Sequence, residues 1–388
     1  MWILLVVLAC DAALVSVVET FRHGARSPVK QFSWDNAVWP QGYGELTPEG
    51  MRQHYLNGVE FRRRYIETAQ LLGPNYSVED VYVRSTNLNR TLMSAESQLF
   101  GLFPQGAAIK NQFLAQKAVP PIQVSGLANA QAELGLNAVA NRYQMIPINT
   151  VTEPYDNMLS GYRLANCPRF AEIQTEQQGT STYERKVTQY NDGLQQQVLE
   201  VFKVNATFSE CGVFSDTLHS MKFHGYDWPA GVTEEMYNSM EEVLTYQYSY
   251  YWTSEATSLS STEFMEAIFS QFDSTINGTA APKMSLYSTH DVTLIGFLIF
   301  LGIWDNINPP YASSLIFELY DNNDVYQIQV LYNDVLQTIP GCGNPCTYQS
   351  FKNLITPKLT PDVRKACQLQ GSTTEFDLDP LSVIYQYT

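Results

Sequence analysis

The run Arg22-His23-Gly24-Ala25-Arg26-Ser27-Pro28 places a histidine between two arginines, directly after an apolar stretch at 14–21. An imidazolium beside fixed guanidinium charge is disfavoured, so His23 is expected to stay neutral and nucleophilic. Arg22 and Arg26 offer forked donors that match a pair of phosphate oxygens. These residue types at this spacing suit attack on phosphorus. The competing reading, a basic surface loop with an idle histidine, is weighed against the rest of the chain.

The elements around this motif repeat one grammar. Apolar runs at 14–21, 81–83 and 284–288 each end in polar, chemistry-bearing residues and lead into a helical pattern. Arg84-Ser85-Thr86 follows the second run and His290-Asp291 the third. Ser85 or Thr86 is expected to cap a helix toward Phe100, and Asp291 to open an apolar helix over 292–302, as its N-cap or beyond. Thr47 suits an N-cap, with Pro48 at the first helical position. In open α/β sheets ligands collect beyond the carboxyl ends of strands. The repeat therefore lets Arg22, His23, Arg26, Arg84, His290 and Asp291 converge on one crevice. Near the end, 315–320 and 325–332 alternate around a polar turn, a β-hairpin that makes the sheet mixed. The stretch 104–280 is rich in Gln, Asn and Tyr and mostly helical in pattern. Arg90 is expected to pair with acids on its own helix, His54 to be a hydrogen-bonded structural residue, and His219 and His224 to lie at the surface.

Composition bounds the partners. The 388 residues carry 23 Lys and Arg against 39 Asp and Glu, a net charge of −16. That field repels polyanions at long range and argues against nucleic acid. A small phosphate ester can still bind where a few arginines are focused in a pocket. A hydrophobic content of 45% with 13% aromatic residues reads as globular. Residues 1–13 read as a signal peptide, with an extended first strand as the alternative. The later apolar stretch 292–304 is too short to span a bilayer, so no stable membrane anchor is expected. Sequons stand at Asn75, Asn89, Asn205 and Asn277; Asn89 is expected to be covered, leaving three for glycosylation. A zinc site at Cys342 and Cys346 is disfavoured, because no second ligand pair has suitable spacing.

The Arg22–Pro28 motif, the segment 81–95 (with Arg84-Ser85-Thr86 and Arg90-Thr91-Leu92-Met93-Ser94-Ala95) and Tyr287-Ser288-Thr289-His290-Asp291 together resemble the histidine acid phosphatases, branch 2 of the histidine phosphatase superfamily. The segments 46–55 and Pro309-Pro310-Tyr311-Ala312-Ser313 are similar to the animal prostatic and lysosomal type. The likeness covers most of the chain and is weakest in the middle. It implies an α/β fold, phosphoglycerate-mutase-like, with a central mixed β-sheet flanked by helices. Residues 14–104 and 281–388 would form this catalytic domain, and 105–280 a smaller, mostly helical insert overhanging the site.

The resemblance also implies roles. His23 attacks phosphorus and carries a phosphohistidine; Arg22, Arg26, Arg84 and His290 bind the phosphoryl oxygens; Asp291 protonates the leaving alkoxide. A carboxylic acid donor suggests an acidic optimum. No cofactor and no metal are required. Substrates would be small-molecule or protein phosphate monoesters. A phytase or other inositol phosphate hydrolase, and a silent phosphate-binding module, stand as alternatives; Ala25, where the similar animal enzymes have an acidic residue and many phytases alanine, leaves substrate choice open. Bridges Cys342–Cys346 and Cys167–Cys367 are implied, with Cys211 free and a further bridge lost at Ser314. A secretory route to lysosome or exterior, and a possible homodimer, complete the expectation.

Overall fold

In a computed structural model that describes residues 12–152, 155–163 and 167–369, seven strands form a single sheet. They are β1 (Ala13–Arg22), β2 (Val81–Thr86), β3 (Asn149–Val151), β4 (Met284–Thr289), β5 (Ser314–Asn322), β6 (Val325–Tyr332) and β7 (Val335–Leu336). Their order is β3-β2-β4-β1-β5-β6-β7. The first four in that order pair in parallel, and β1, β5, β6 and β7 pair antiparallel. The mixed sheet and the β5–β6 hairpin agree with the sequence pattern. Asn323 and Asp324 at the hairpin tip both have positive φ, 54° and 65°, as a two-residue turn with the strands' own twist requires. Residues 1–11 and 370–388, with most of the expected signal peptide, Cys10 and the polar tail, lie outside the described residues.

Helices that matter for the site are α1 (Pro48–Phe61), α2 (Asn89–Leu102), α3 (Phe208–Phe223), α4 (Ser254–Ile276) and α5 (Asp291–Leu301). Strand alternation divides the core between two layers. Val17, Phe21, Val81, Val83 and Leu286 pack with Phe61 of α1 and Leu99 and Leu102 of α2. On the other face Val18, Tyr82, Tyr287 and Phe317 meet Phe264 and Ile268 of α4 and Phe297 and Leu298 of α5. A third core, including Val198, Phe202, Phe214, Leu218 and Met240, belongs to the helical region around α3. Two elements within the expected 105–280 insert belong with the sheet instead: β3 joins its edge and α4 packs on its face. Both are long-range associations that the local helical pattern does not reveal.

Thr47 caps α1 by accepting from the Gly50 amide, with Pro48 in the first turn, as expected. The cap of α2 is Leu88, not Ser85 or Thr86, which remain in β2. His290 is the N-cap of α5, and Asp291 is its first helical residue rather than the cap. The bridges Cys167–Cys367 and Cys342–Cys346 are formed, and Cys211 is free and buried. Asn89 is exposed rather than covered, as are Asn75, Asn205 and Asn277. No helix among the described residues is long and apolar enough to cross a membrane.

The α1–α2 contact depends on glycine. A Cβ on Gly58 would stand 1.9 Å from the Gln98 carbonyl oxygen, and one on Gly101 2.2 Å from that of Tyr55. Backbone cannot yield as a flexible side chain can, so Gly58→Ala is expected to destabilise the fold by about 1–3 kcal/mol. Urea denaturation measures this, and a native midpoint would contradict it.

Candidate active site

The neighbours β2, β4 and β1 deliver their motifs to one edge of the sheet, with Arg22 in register with Thr289. His23 follows directly after β1. Its amide donates to the Thr289 carbonyl and its carbonyl accepts from Ala312, at 3.0 Å each. The loop behind it is equally well anchored. The Gly24 amide donates to Ser94 Oγ, Ala25 to Gln53 Oε1, and the Ala25 carbonyl accepts from the Thr47 amide. Gly24 has to be glycine, because a Cβ there would lie 2.4 Å from the Gly50 oxygen.

The ring of His23 is 2.8 Å from the Gly24 carbonyl through Nδ1. A carbonyl only accepts, so Nδ1 carries the proton and Nε2 keeps its lone pair. Burial holds the His23 pKa well below the usual imidazole range, assisted by the charges of Arg90, Arg22, Arg26 and His290. His290 is depressed in the same way, by burial and then by Arg90, Arg163, Arg26 and Arg22. Its ring centroid lies 5.7 Å from that of His23, and its Nε2 is 3.0 Å from Thr86 Oγ1.

Each motif arginine is held by specific partners. Arg22 pairs with Asp291 at 2.7 Å, donates to the Pro309 carbonyl at 2.5 Å, and lies 4.5 Å over the Tyr311 ring. Arg26 makes a forked pair with Asp216 of α3, at 3.0 and 2.6 Å. The Arg26 charge keeps the Asp216 carboxyl below its ordinary range despite burial, which acts the other way. Asp291 accepts from the Val292 amide through its other oxygen. The helical region thus closes over the sheet's edge through α3, which also offers Ser220 to the Tyr311 hydroxyl.

Arg84 does not join this group. It shares its β2 face with Tyr82, and its guanidinium donates to Asp156 at 2.5 Å and contacts Met158 Sδ. Strand parity turns it toward the α4 side, where it neutralises a buried carboxylate. Arg90 lies closer to the two histidines in its electrostatic effect. It lies in the first turn of α2, past the end of β2, and exerts the largest charge effect on both His23 and His290. The expected acid partners on its own helix are absent: Arg90 donates to the Gly44 carbonyl at 3.5 Å, and among the described residues its buried Nε has no acceptor. The signal for Arg90 was its place after a strand end, like His23 and His290. Asp216 and Tyr311 were also missed as site residues.

His54 is buried and fully hydrogen-bonded, as expected. His219 and His224 are not simple surface groups. His219 bonds the Tyr237 hydroxyl and packs 5.2 Å from the Tyr311 ring. His224 bonds the Ser220 carbonyl and Thr47 Oγ1, tying α3 to the cap of α1. Among the described residues no group of three or more His, Cys, Asp or Glu side chains could hold a metal ion.

Neutral imidazole, guanidiniums and a carboxyl group on one sheet edge are suited to phosphoryl chemistry, and comparison with known proteins identifies the family. The chain belongs to the histidine phosphatase superfamily, branch 2, whose family model matches residues 13–333. It is an enzyme of the histidine acid phosphatase type. It is 30% identical to the lysosomal acid phosphatase of Rattus norvegicus over 93% of this chain and 82% of that protein. It is 29% identical to the prostatic acid phosphatase of Homo sapiens over 96% of this chain and 92% of that protein. Among solved structures, a Hafnia alvei phytase in complex with tartrate superposes with a TM-score of 0.66 at 18% identity, covering 92% of this chain and 99% of that one. That likeness concerns the fold alone.

Proposed function

We propose that this protein is an acid phosphatase hydrolysing phosphate monoesters through a phosphohistidine on His23, with Asp291 as proton donor to the leaving group. The observation that carries this reading is the neutral, Nδ1-anchored imidazole of His23 surrounded by Arg22, Arg26, Arg90 and His290. Nε2 attacks phosphorus in line, the N–P bond forms as the ester P–O bond breaks, and Asp291 gives its proton to the departing oxygen. Water then attacks phosphorus as the N–P bond breaks, releasing inorganic phosphate and free Nε2, and passes a proton back to the Asp291 carboxylate. The guanidiniums and a His290 N–H stabilise the equatorial oxygens, which is most of what phosphoryl transfer demands. Arg22, Arg26, Arg84 and Arg90 each keep a buried Nε without an acceptor among the described residues; those of Arg22, Arg26 and Arg90, whose charges bear on His23, are donor capacity that a phosphoryl group there would take up. In this scheme Arg84 is a structural anchor rather than a phosphate ligand.

Labelled substrate and rapid quench test the intermediate. Phosphohistidine is expected to survive alkali and to be lost in acid; no covalent label under either quench would leave only a phosphate-binding module. Asp291→Asn is expected to slow alkyl phosphates by about 10²–10⁴-fold. p-Nitrophenyl phosphate should suffer less, because its leaving group departs without a proton.

The names of the relatives, the two disulfides and the exposed sequons at Asn75, Asn89, Asn205 and Asn277 support passage through the secretory pathway. We place the helical domain between β3 and α4, excluding both. A phytase reading has the fold neighbours on its side, but no feature of this site favours it over simpler monoesters.

A further inference from the structure

Beneath the nucleophile runs a buried polar chain that phosphoryl transfer does not call for. His54 of α1 places Nε2 3.1 Å from the Arg22 carbonyl and Nδ1 2.9 Å from Gln98 Oε1. Gln98 of α2 places Nε2 2.5 Å from Glu19 Oε2, and Ser314 Oγ donates to Glu19 Oε1 at 2.6 Å. His54, Gln98 and Glu19 are each fully inaccessible to solvent.

Donor and acceptor counting constrains this chain. With Gln98 Oε1 toward His54, both imidazole nitrogens face acceptors, so the ring must be a cation, and with Ser314 Oγ donating as well Glu19 is an anion. With the amide turned over, which its shape permits, Gln98 donates to His54 Nδ1 and His54 Nε2–H donates to Arg22. Glu19 must then be a neutral acid that donates to Gln98 Oε1. Both arrangements hold the same number of protons and differ only in which end keeps the shared one.

We propose that Glu19, Gln98 and His54 form a one-proton relay, neutral at both ends, that acts as a positioning device for the Arg22–His23 peptide. Complete burial favours two neutral groups over two separated charges. Burial also pushes the Glu19 pKa up to about 8 and that of His54 down to about 4. The other charged or titratable groups facing the chain are Arg64, Tyr65 and Glu318. The Arg64 guanidinium is engaged by Glu60 and Asp334, and Glu318 accepts from the Tyr65 and Tyr320 hydroxyls. None of them supplies Glu19 with a counter-charge at contact distance.

A raised carboxyl pKa stabilises the fold fully below the unfolded value, and that stability is lost as pH rises toward the folded value of about 8. The depressed His54 acts in the opposite sense below its unfolded value, so the Glu19 contribution stands alone at neutral to mildly alkaline pH. There the unfolding constant of the native protein should rise by up to about tenfold per pH unit relative to Glu19→Gln. Glutamine keeps the hydrogen-bond pattern of the neutral acid and cannot ionise. Gln98→Met removes both bonds at similar volume and should lower kcat about tenfold or more with KM little changed, because the His23 backbone loses a support. This kinetic part rests on the phosphatase reading, whereas the proton assignment does not.

That assignment is tested on the native protein by nitrogen NMR of labelled histidines. At pH 6 His54 should show one protonated and one acceptor nitrogen. A doubly protonated His54, or identical pH slopes for native and Glu19→Gln protein, overturns the neutral relay. A native kcat in Gln98→Met overturns the positioning role even if the phosphohistidine is trapped as expected.

Discussion

His23→Ala is expected to lower kcat on p-nitrophenyl phosphate by about 10⁵-fold while leaving the fold intact. The magnitude follows from what remains. Arg22, Arg26, Arg90 and His290 could still gather a phosphoryl group, but no side chain at the site would replace Nε2 as the group that bonds to phosphorus. Charge stabilisation without a nucleophile retains only a small part of the acceleration. Stability should change little, because the lost ring is a neutral group whose polar contact is with the adjoining Gly24 carbonyl, and the backbone ties of residue 23 to Thr289 and Ala312 are unaffected. Steady-state kinetics at acid pH, with circular dichroism to confirm folding, decide the matter. Turnover within tenfold of native would remove His23 from the mechanism.

What could be read in the sequence was local. The runs at 14–21, 81–83 and 284–288 became β1, β2 and β4 because period-2 alternation and β-branched content act residue by residue. Thr47-Pro48 capped α1, and the 325–332 strand closed its hairpin, for equally local reasons. Motif order on adjacent parallel strands brought His23, Arg22, Arg26, His290 and Asp291 together. What escaped notice was set by docking. Asp216 reaches Arg26 from 190 residues away, and nothing around it marks it as a partner. β3 and α4 joined the sheet from within a stretch whose helical pattern hid their destination. Glu19 was a partial exception: a carboxyl group within an apolar strand signals either a site or a buried network. Arg84 shares its face of the sheet with Arg22, so parity alone does not separate them; its register with Tyr287, against that of Arg22 with Thr289, sets it further from the strand ends, beside Asp156.

The different surroundings of Arg84 and Arg90 make a paired experiment possible. Arg90→Ala should cut kcat/KM by about 10²–10³-fold, the cost of losing a charge-assisted donor aimed at a developing anion. Arg90 pairs with no carboxylate among the described residues, whereas Arg22 and Arg26 are matched by Asp291 and Asp216. Its removal therefore takes away the arginine charge least neutralised before substrate arrives, from the residue that bears most strongly on His23. Arg90→Lys should recover only part of the loss, because an ammonium keeps the charge without the fork. Arg84→Ala should behave differently. It would take from Asp156, whose carboxyl burial already pushes above its ordinary range, its close guanidinium partner while leaving the Leu159 amide and the charge of Arg163, and is expected to cost about 3 kcal/mol of stability. Turnover per folded molecule should change far less than in Arg90→Ala. Replacing both partners with apolar residues, as in Arg84→Met with Asp156→Leu, should restore part of the stability, since this buried ion pair is then removed as a unit. Denaturation midpoints and kcat/KM on the same preparations separate the two arginines. The reverse pattern, with Arg84 controlling turnover and Arg90 only stability, would mean that the phosphoryl group sits on the α4 side of β2 and not beside His23.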